Sequence, residues 1–157
     1  MTALRKQILQ QIANMNPDQD TIYKYEFFGK NKINNHVIEQ TILNTELNML
    51  IAYDGVGDNV AISGILCYHQ NVAAKNYVID LLCSPRAGGG HGTALLQRLY
   101  DNIGSAAIVV YSVKSAVEFY NKKGFCCLSQ NNYTKEEWAE FRKNQITPMR
   151  WKHTKHC

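Results

Sequence analysis

The stretch "SPRAGGGHGTALL", residues 84–96, packs four glycines into the five positions from Gly88 to Gly92 and then turns into a run with helical periodicity. Ordered glycine costs backbone entropy, so a cluster of it marks a place where bare backbone is needed. A row of unobstructed N–H groups leading into a helix N-terminus is an anion site, most often for phosphate. Just upstream, "NYVIDLLCS" (76–84) reads as a largely apolar strand. Just downstream, "TALLQRLYDNI" (93–103) places Leu95, Leu96, Leu99 and Ile103 on one helical face, closed by Gly104 at the C-terminal cap position. Strand, glycine loop and helix in that order make this an α/β protein.

Two common phosphate loops do not fit. A Walker A loop needs a lysine beside its last glycine, and "GGGHGT" has none. A dinucleotide fingerprint needs G-x-G-x-x-G; counted from Gly88 or Gly90, the sixth position is Thr93 or Leu95.

Outward from the loop the pattern extends in both directions. "LNMLIAYD" (47–54) and "VAISGILCYH" (60–69) flank the turn-rich "GVGDN" and read as an antiparallel hairpin. After the helix come "AAIVVYS" (106–112) as a short buried strand and "SAVEFYNKKG" (115–124) as a helix, with Ser115 and Glu118 spaced as a capping box. "FCCLS" (125–129) reads as a strand, "TKEEWAEFRKN" (134–144) as a polar helix and "PMRWK" (148–152) as a final strand. At the start, Leu4, Ile8, Ile12 and Met15 recur at helical spacing over residues 3–15. Residues 20–45 are ambiguous between helix and strand.

The totals are those of one globular domain: 157 residues, 45% hydrophobic and 19% charged, with a formal charge of +4. No apolar run approaches the roughly 20 residues of a membrane span, and "MTALRKQILQQIANMN" lacks a secretory pattern, so a cytoplasmic protein is expected. The five cysteines form no CxxC pair or zinc spacing, and Cys67, Cys83, Cys126 and Cys127 fall in strands, where buried free thiols are expected. The tail "HTKHC" holds His153, His156 and Cys157, but no metal centre is expected there. The mild positive charge suits an anionic cofactor or substrate; the absence of a concentrated basic stripe argues against a nucleic-acid-binding protein.

The stretch "IDLLCSPRAGGGHGTALLQRLYD" resembles the acetyl-CoA-binding segment of the Gcn5-related N-acetyltransferases, the GNAT family. Its signature, [QR]-x-x-G-x-[GA] between a strand and a helix, places Gly90 and Gly92 at the two small-residue positions. "SVKSAVEFYNKKGF" is similar to that family's later helix, A-x-x-[FL]-Y-x-x-x-G-F, with Ala116, Phe119, Tyr120, Gly124 and Phe125 in place. The match departs at Ala87, where Arg or Gln is usual, at His91, where an aliphatic residue is usual, and at Val113, where asparagine is frequent. The resemblance implies a single domain with a mixed, mainly antiparallel sheet flanked by helices. Residues 47–128 would be the acetyl-CoA-binding core, 1–45 an N-terminal region of unrecognised role and 129–157 a C-terminal segment on the substrate side.

The same resemblance implies acetyl transfer from acetyl-CoA directly to a primary amine. Tyr120 would be the general acid, a role a phenol near pKa 10 can fill toward a departing thiolate. The cofactor would lie against Leu82, Cys83 and Ser84 and on the loop residues Gly88, Gly89, Gly90, His91, Gly92 and Thr93. Leu82 lies where a backbone N–H would meet the oxyanion. Direct transfer is the family's usual route, ahead of a covalent step on Cys83. Asp80 stands in an apolar strand where a bare carboxylate is costly, so it must meet a cavity or a partner, as a base, a substrate anchor or a structural group; His69 and Glu118 are alternative bases. A small amine, a protein amine or an aminoacyl-tRNA all fit as acceptor, and a homodimer is possible. The alternative is a non-catalytic acyl-CoA sensor or partner-binding module on the same fold.

Overall fold

The computed structural model describes residues 2–15, 35–55, 57, 61–83 and 90–153. Its elements are α1 (Thr2–Met15), α2 (Asn35–Leu43), β1 (Asn48–Asp54), β2 (Ala61–Asn71), β3 (Asn76–Cys83), α3 (His91–Asn102), β4 (Ala107–Val113), α4 (Val117–Lys122), β5 (Cys126–Cys127), α5 (Lys135–Lys143) and β6 (Ile146–Trp151). The six strands form one sheet in the order β1-β2-β3-β4-β6-β5. Only β3 and β4 run parallel, and α3 makes the crossover between them. The mixed, mainly antiparallel sheet expected from the sequence is the one observed. No described helix is long and apolar enough to cross a membrane.

Two apolar clusters cover the two faces. On one, Leu95, Leu96 and Leu99 of α3 pack with Leu66, Ile79, Leu82, Ile108 and Val110. On the other, Ile8 of α1 and Ile42 of α2 pack with Ile62, Ile65, Cys67, Leu81 and Cys83. Alternation along a strand should put residues two apart on one face, yet Ile79 and Leu82, three apart, share the α3 face. The cause is a bulge: Tyr68 pairs with Ile79 and Cys67 with Leu81, leaving Asp80 as the extra residue. A second bulge, between Ala52 and Tyr53 of β1, faces Ser63 of β2.

Gly64 lets α3 approach the sheet closely: a Cβ there would stand 2.9 Å from Leu95 Cδ1 and 3.5 Å from His91 Cβ. At the end of α3, Gly104 adopts φ +64, as its capping position requires. Gly124, at φ +92, closes α4, where Phe125 N donates to Tyr120 O at 3.0 Å.

Several expectations need correction. Leu4, placed on the apolar stripe of α1, is 55% exposed. The α4 helix has Ala116 at its N-cap with no side-chain cap bond, and Glu118 pairs instead with Lys122 one turn on, at 3.2 Å. The 3₁₀ turn Lys114–Ala116 that precedes α4 takes up the residues where a cap would sit. A true capping box starts α5: Thr134 Oγ1 accepts from Glu137 N at 3.1 Å, and Glu137 Oε1 accepts from Thr134 N at 2.9 Å. Cys67 and Cys83 are buried free thiols, but Cys127 is exposed and Cys126 is disulfide-bonded. The edge position of β5, paired on one side only, leaves Cys127 in the open. The disulfide removes Cys126 from the free-thiol argument for a cytoplasmic location.

Candidate active site

The ladder between β3 and β4 runs from Asn76/Ala107 to Ile79/Val110 and stops there. Beyond that point β3 continues on β2 and β4 continues on β6, so the two strands part. The bulge at Asp80 sits at the parting, where added twist re-aims a strand. The result is a cleft of about 140 Å³ between Asp80–Leu82 on one wall and Val110–Val113 on the other, floored by Ala116 and Tyr120. Its walls are backbone edges and apolar side chains, a surface that takes a linear, amide-bearing chain as an added strand would be taken.

Tyr120 is 3% exposed, edge-on to Phe119 and Phe125 at ring distances of 5.2 and 5.1 Å. Burial pushes its phenol well above the ordinary tyrosine range, with smaller contributions from Tyr100 and Cys83. It is therefore a protonated donor at every physiological pH. Tyr100 stacks on Trp151 at 4.1 Å and donates to Lys123 O at 3.4 Å, fixing the end of α4 from behind.

Asp80 Oδ2 lies 2.7 Å from His69 Nδ1, on side chains 25% and 38% exposed. Partial burial raises the carboxyl above the usual range, and the His69 hydrogen bond and charge oppose that rise. Asp80 also borders a second, wider cavity of about 490 Å³ beneath α2, with Gln40, Thr41, Leu43, Asn44 and Leu47. One carboxylate thus stands in the wall between a narrow apolar cleft and a broad polar one. Nearby, burial pushes the Cys67 thiol up to about 12, which the Arg5 charge opposes and Asp80 reinforces. Cys67 is inert as a nucleophile there.

The segment that closes the cavity beneath α2 is held by Arg5, a buried residue only 4% exposed. Its Nη1 donates to Ile42 O at 3.1 Å and to Asn44 O at 2.6 Å, and Nη2 donates to Leu47 O at 2.5 Å. A cation against the last carbonyls of a helix satisfies orphan acceptors and complements the dipole. Nothing local in the sequence marks Arg5, because its partners lie 37 to 42 residues away. On the same face α5, read as merely polar, brings Phe141 into a 5.5 Å stack on Tyr111, with Tyr133 edge-on to Phe141 at 4.9 Å.

Of the cofactor residues expected from the sequence, Leu82 is buried and lines the cleft, whereas the Cys83 side chain packs into the α1/α2 cluster. Gly90 is the N-cap of α3 with φ +75, a left-handed conformation that favours glycine. His91 is half-buried, Gly92 buried and Thr93 exposed, so the first turn of α3 presents little side chain. This fits a phosphate-bearing cofactor: a glycine-led helix N-terminus stands beside an apolar cleft with free strand edges. Ser84, Gly88 and Gly89 lie outside the described residues. Glu118, an alternative base, is spent on its exposed pair with Lys122.

Three kinds of comparison bear on this geometry. Among curated protein sequences none matches this chain significantly. Solved structures share its fold at low identity. An N-acetyltransferase structure from Lactobacillus plantarum, described as putative, is 13% identical with a TM-score of 0.61, covering 97% of this chain and 92% of that one. Tetrahymena GCN5 is 13% identical with a TM-score of 0.60, covering 99% and 89%. The N-acetylglutamate synthase of Neisseria gonorrhoeae, solved with coenzyme A and N-acetyl-glutamate, is 18% identical with a TM-score of 0.52; the match covers 76% of this chain but spans only 28% of the synthase. The model of the acetyltransferase (GNAT) domain matches residues 9–152, nearly the whole chain. With its parted strands, glycine-led helix and buried tyrosine, this chain belongs to the GNAT acetyltransferase family.

Proposed function

We propose that the protein transfers an acetyl group from acetyl-CoA directly to a primary amine, with Tyr120 as general acid and Asp80 as proton acceptor. The observation that carries this reading is the parting of β3 and β4 directly over Tyr120, with Asp80 at the fork. Residues 47–128 would hold the cofactor, with Gly88 to Thr93 against its pyrophosphate and the edges of Leu82, Cys83 and Ser84 against its arm. Residues 1–45 and 129–157 would shape the acceptor side.

The bound cosubstrate supplies a thioester, an acyl group already activated toward amines. The chain must then do three things. Asp80 takes the proton of an incoming ammonium, directly or through one water, so that a lone pair is free to attack. His69 holds the Asp80 carboxylate at Oδ2 and lessens the cost of its charge. The new N–C bond forms as the C–S bond breaks; the electron pair leaves on sulfur, which takes the phenolic proton of Tyr120, and the nitrogen's second proton, lost through solvent, restores the phenol. The raised pKa of Tyr120 suits a sulfur in the same desolvated cleft, where a thiolate is raised in parallel.

Release of coenzyme A thiol, followed with wild-type protein and an amine panel, tests the reaction. Tyr120→Phe should lower kcat by about 100-fold or more while leaving acetyl-CoA affinity unchanged. Equal turnover in the variant would remove Tyr120 from the chemistry, and equal acetyl-CoA binding without turnover in the wild type would favour the acyl-CoA sensor.

A further inference from the structure

The cleft between β3 and β4 ends in a rigid wall. The last rung of the parallel ladder, Ile79 beside Val110, is clamped from both sides: Ile79 also pairs with Tyr68 of β2, and Val110 with Met149 of β6. Four strands therefore cross the closed end of the fork in one row. Ile79 is 5% and Val110 4% exposed, and both belong to the apolar cluster beneath α3. Ala116 and Tyr120, both buried, close the cleft from below, with the Tyr120 ring held edge-on by Phe119 and Phe125. Paired backbone and close-packed side chains do not move aside for an extra atom without strain. At about 140 Å³ the cleft is well below an ordinary small-molecule site, so it takes a thin chain end and little more.

We propose that this rung measures the acyl group of the donor: Ile79 and Val110 admit a two-carbon acyl chain and turn away longer ones. This rests on the acetyl-transfer reading and deepens it at the donor's acyl end. Sulfur belongs near Tyr120, its proton donor, and the attacking amine near Asp80. The acyl tail is left the closed end of the fork, where it meets Ile79 and Val110 end-on. A longer tail has two courses. It displaces the buried side chains of the rung, which overpacks the core, or it bends out past Asp80 into water, where its carbon gains no burial. In an apolar pocket a surplus methylene is discriminated by about tenfold or more.

Titration calorimetry with free coenzyme A, acetyl-CoA and butyryl-CoA tests this without an acceptor and without turnover. Wild type should bind butyryl-CoA at least about tenfold more weakly than acetyl-CoA. Val110→Ala opens the wall, and the ratio of the two affinities should shrink to about threefold or less, with binding of free coenzyme A as the check that the variant is folded. Ile79→Val, a smaller trim, should narrow the ratio less, and it decides the matter if Val110→Ala no longer binds coenzyme A. Equal affinity of wild type for the two acyl donors, or a ratio untouched by the variant that still binds coenzyme A, would overturn the proposal. Discrimination by acyl length without thiol release to any amine would sink the transfer reaction and leave the acyl gate. Thiol release with no discrimination would do the reverse, and failure of wild type to bind coenzyme A would overturn both.

Discussion

The two faces of the sheet are built by different physics. On the α3 face, Leu95, Leu96 and Leu99 are each at most 1% exposed and form one continuous apolar cluster with the strands. On the α1/α2 face, Ile42 is the buried residue among the described positions of α2, and the segment that follows hangs on Arg5 through three directional hydrogen bonds. Apolar burial is non-directional and spread over many contacts; a three-bond brace concentrates the same task in one side chain. The first arrangement gives a rigid seat for the cofactor proposed above. The second gives a rim that a single substitution can reshape, which suits the acceptor side proposed for residues 1–45.

The sharpest way to separate the faces is to damage each once. Leu99→Ala should cost about 3 kcal/mol of stability, a global loss read in denaturant melts, because a fully buried leucine leaves a cavity. Arg5→Met keeps the stem's volume and removes the brace, taking the Arg5 donor from three carbonyls, of which Asn44 O still accepts from Leu47 N; about 2 kcal/mol is expected. The distinguishing readout is functional: Arg5→Met should raise the acceptor KM while acetyl-CoA affinity stays put. A fall in acetyl-CoA affinity as large as the rise in acceptor KM would show that the faces are not independent.

The smallest stability effect belongs to Asp80. Its folded pKa lies above the ordinary value, so the folded state binds the proton more tightly than the unfolded one. That contribution to stability is fully present below the ordinary carboxylate range and is lost as pH rises through the folded pKa. Asp80→Asn should therefore be as stable as wild type or slightly more so at neutral pH, by a few tenths of a kcal/mol, with the gap closing in acid. Acetylation should fall steeply in the same variant, and the acid limb of the wild-type pH profile should lie above the ordinary carboxylate value. A variant that loses stability at pH 7 while keeping activity would make Asp80 structural.

What the sequence made legible follows the same division. Gly90 ahead of α3, the leucine face of that helix and the A-x-x-F-Y run around Tyr120 are local patterns, and the fold puts these described residues where local reading expects. Even so, α3 begins at His91 and carries Gly92 inside its first turn, because packing against Gly64 outweighs glycine's low helix propensity. The α1/α2 side depends on long-range facts. Arg5 reads as an ordinary charge on an amphipathic helix until residues 42–47 fold back on it. "HVIEQTILN" has too weak a period to reveal α2. That Asp80 needs a cavity or a partner was readable from its apolar neighbours; that it has both, through a bulge and His69, was not, because a bulge leaves no mark in one strand alone.

In the proposed reaction the fork between β3 and β4 holds the arm of acetyl-CoA. Amide hydrogen exchange measured with and without saturating acetyl-CoA tests it most directly. Slowed exchange is expected at residues 80–83 and 110–113, with the β2–β3 turn at 72–75 unchanged. Binding that protects other segments and leaves the fork exchanging as before would contradict it.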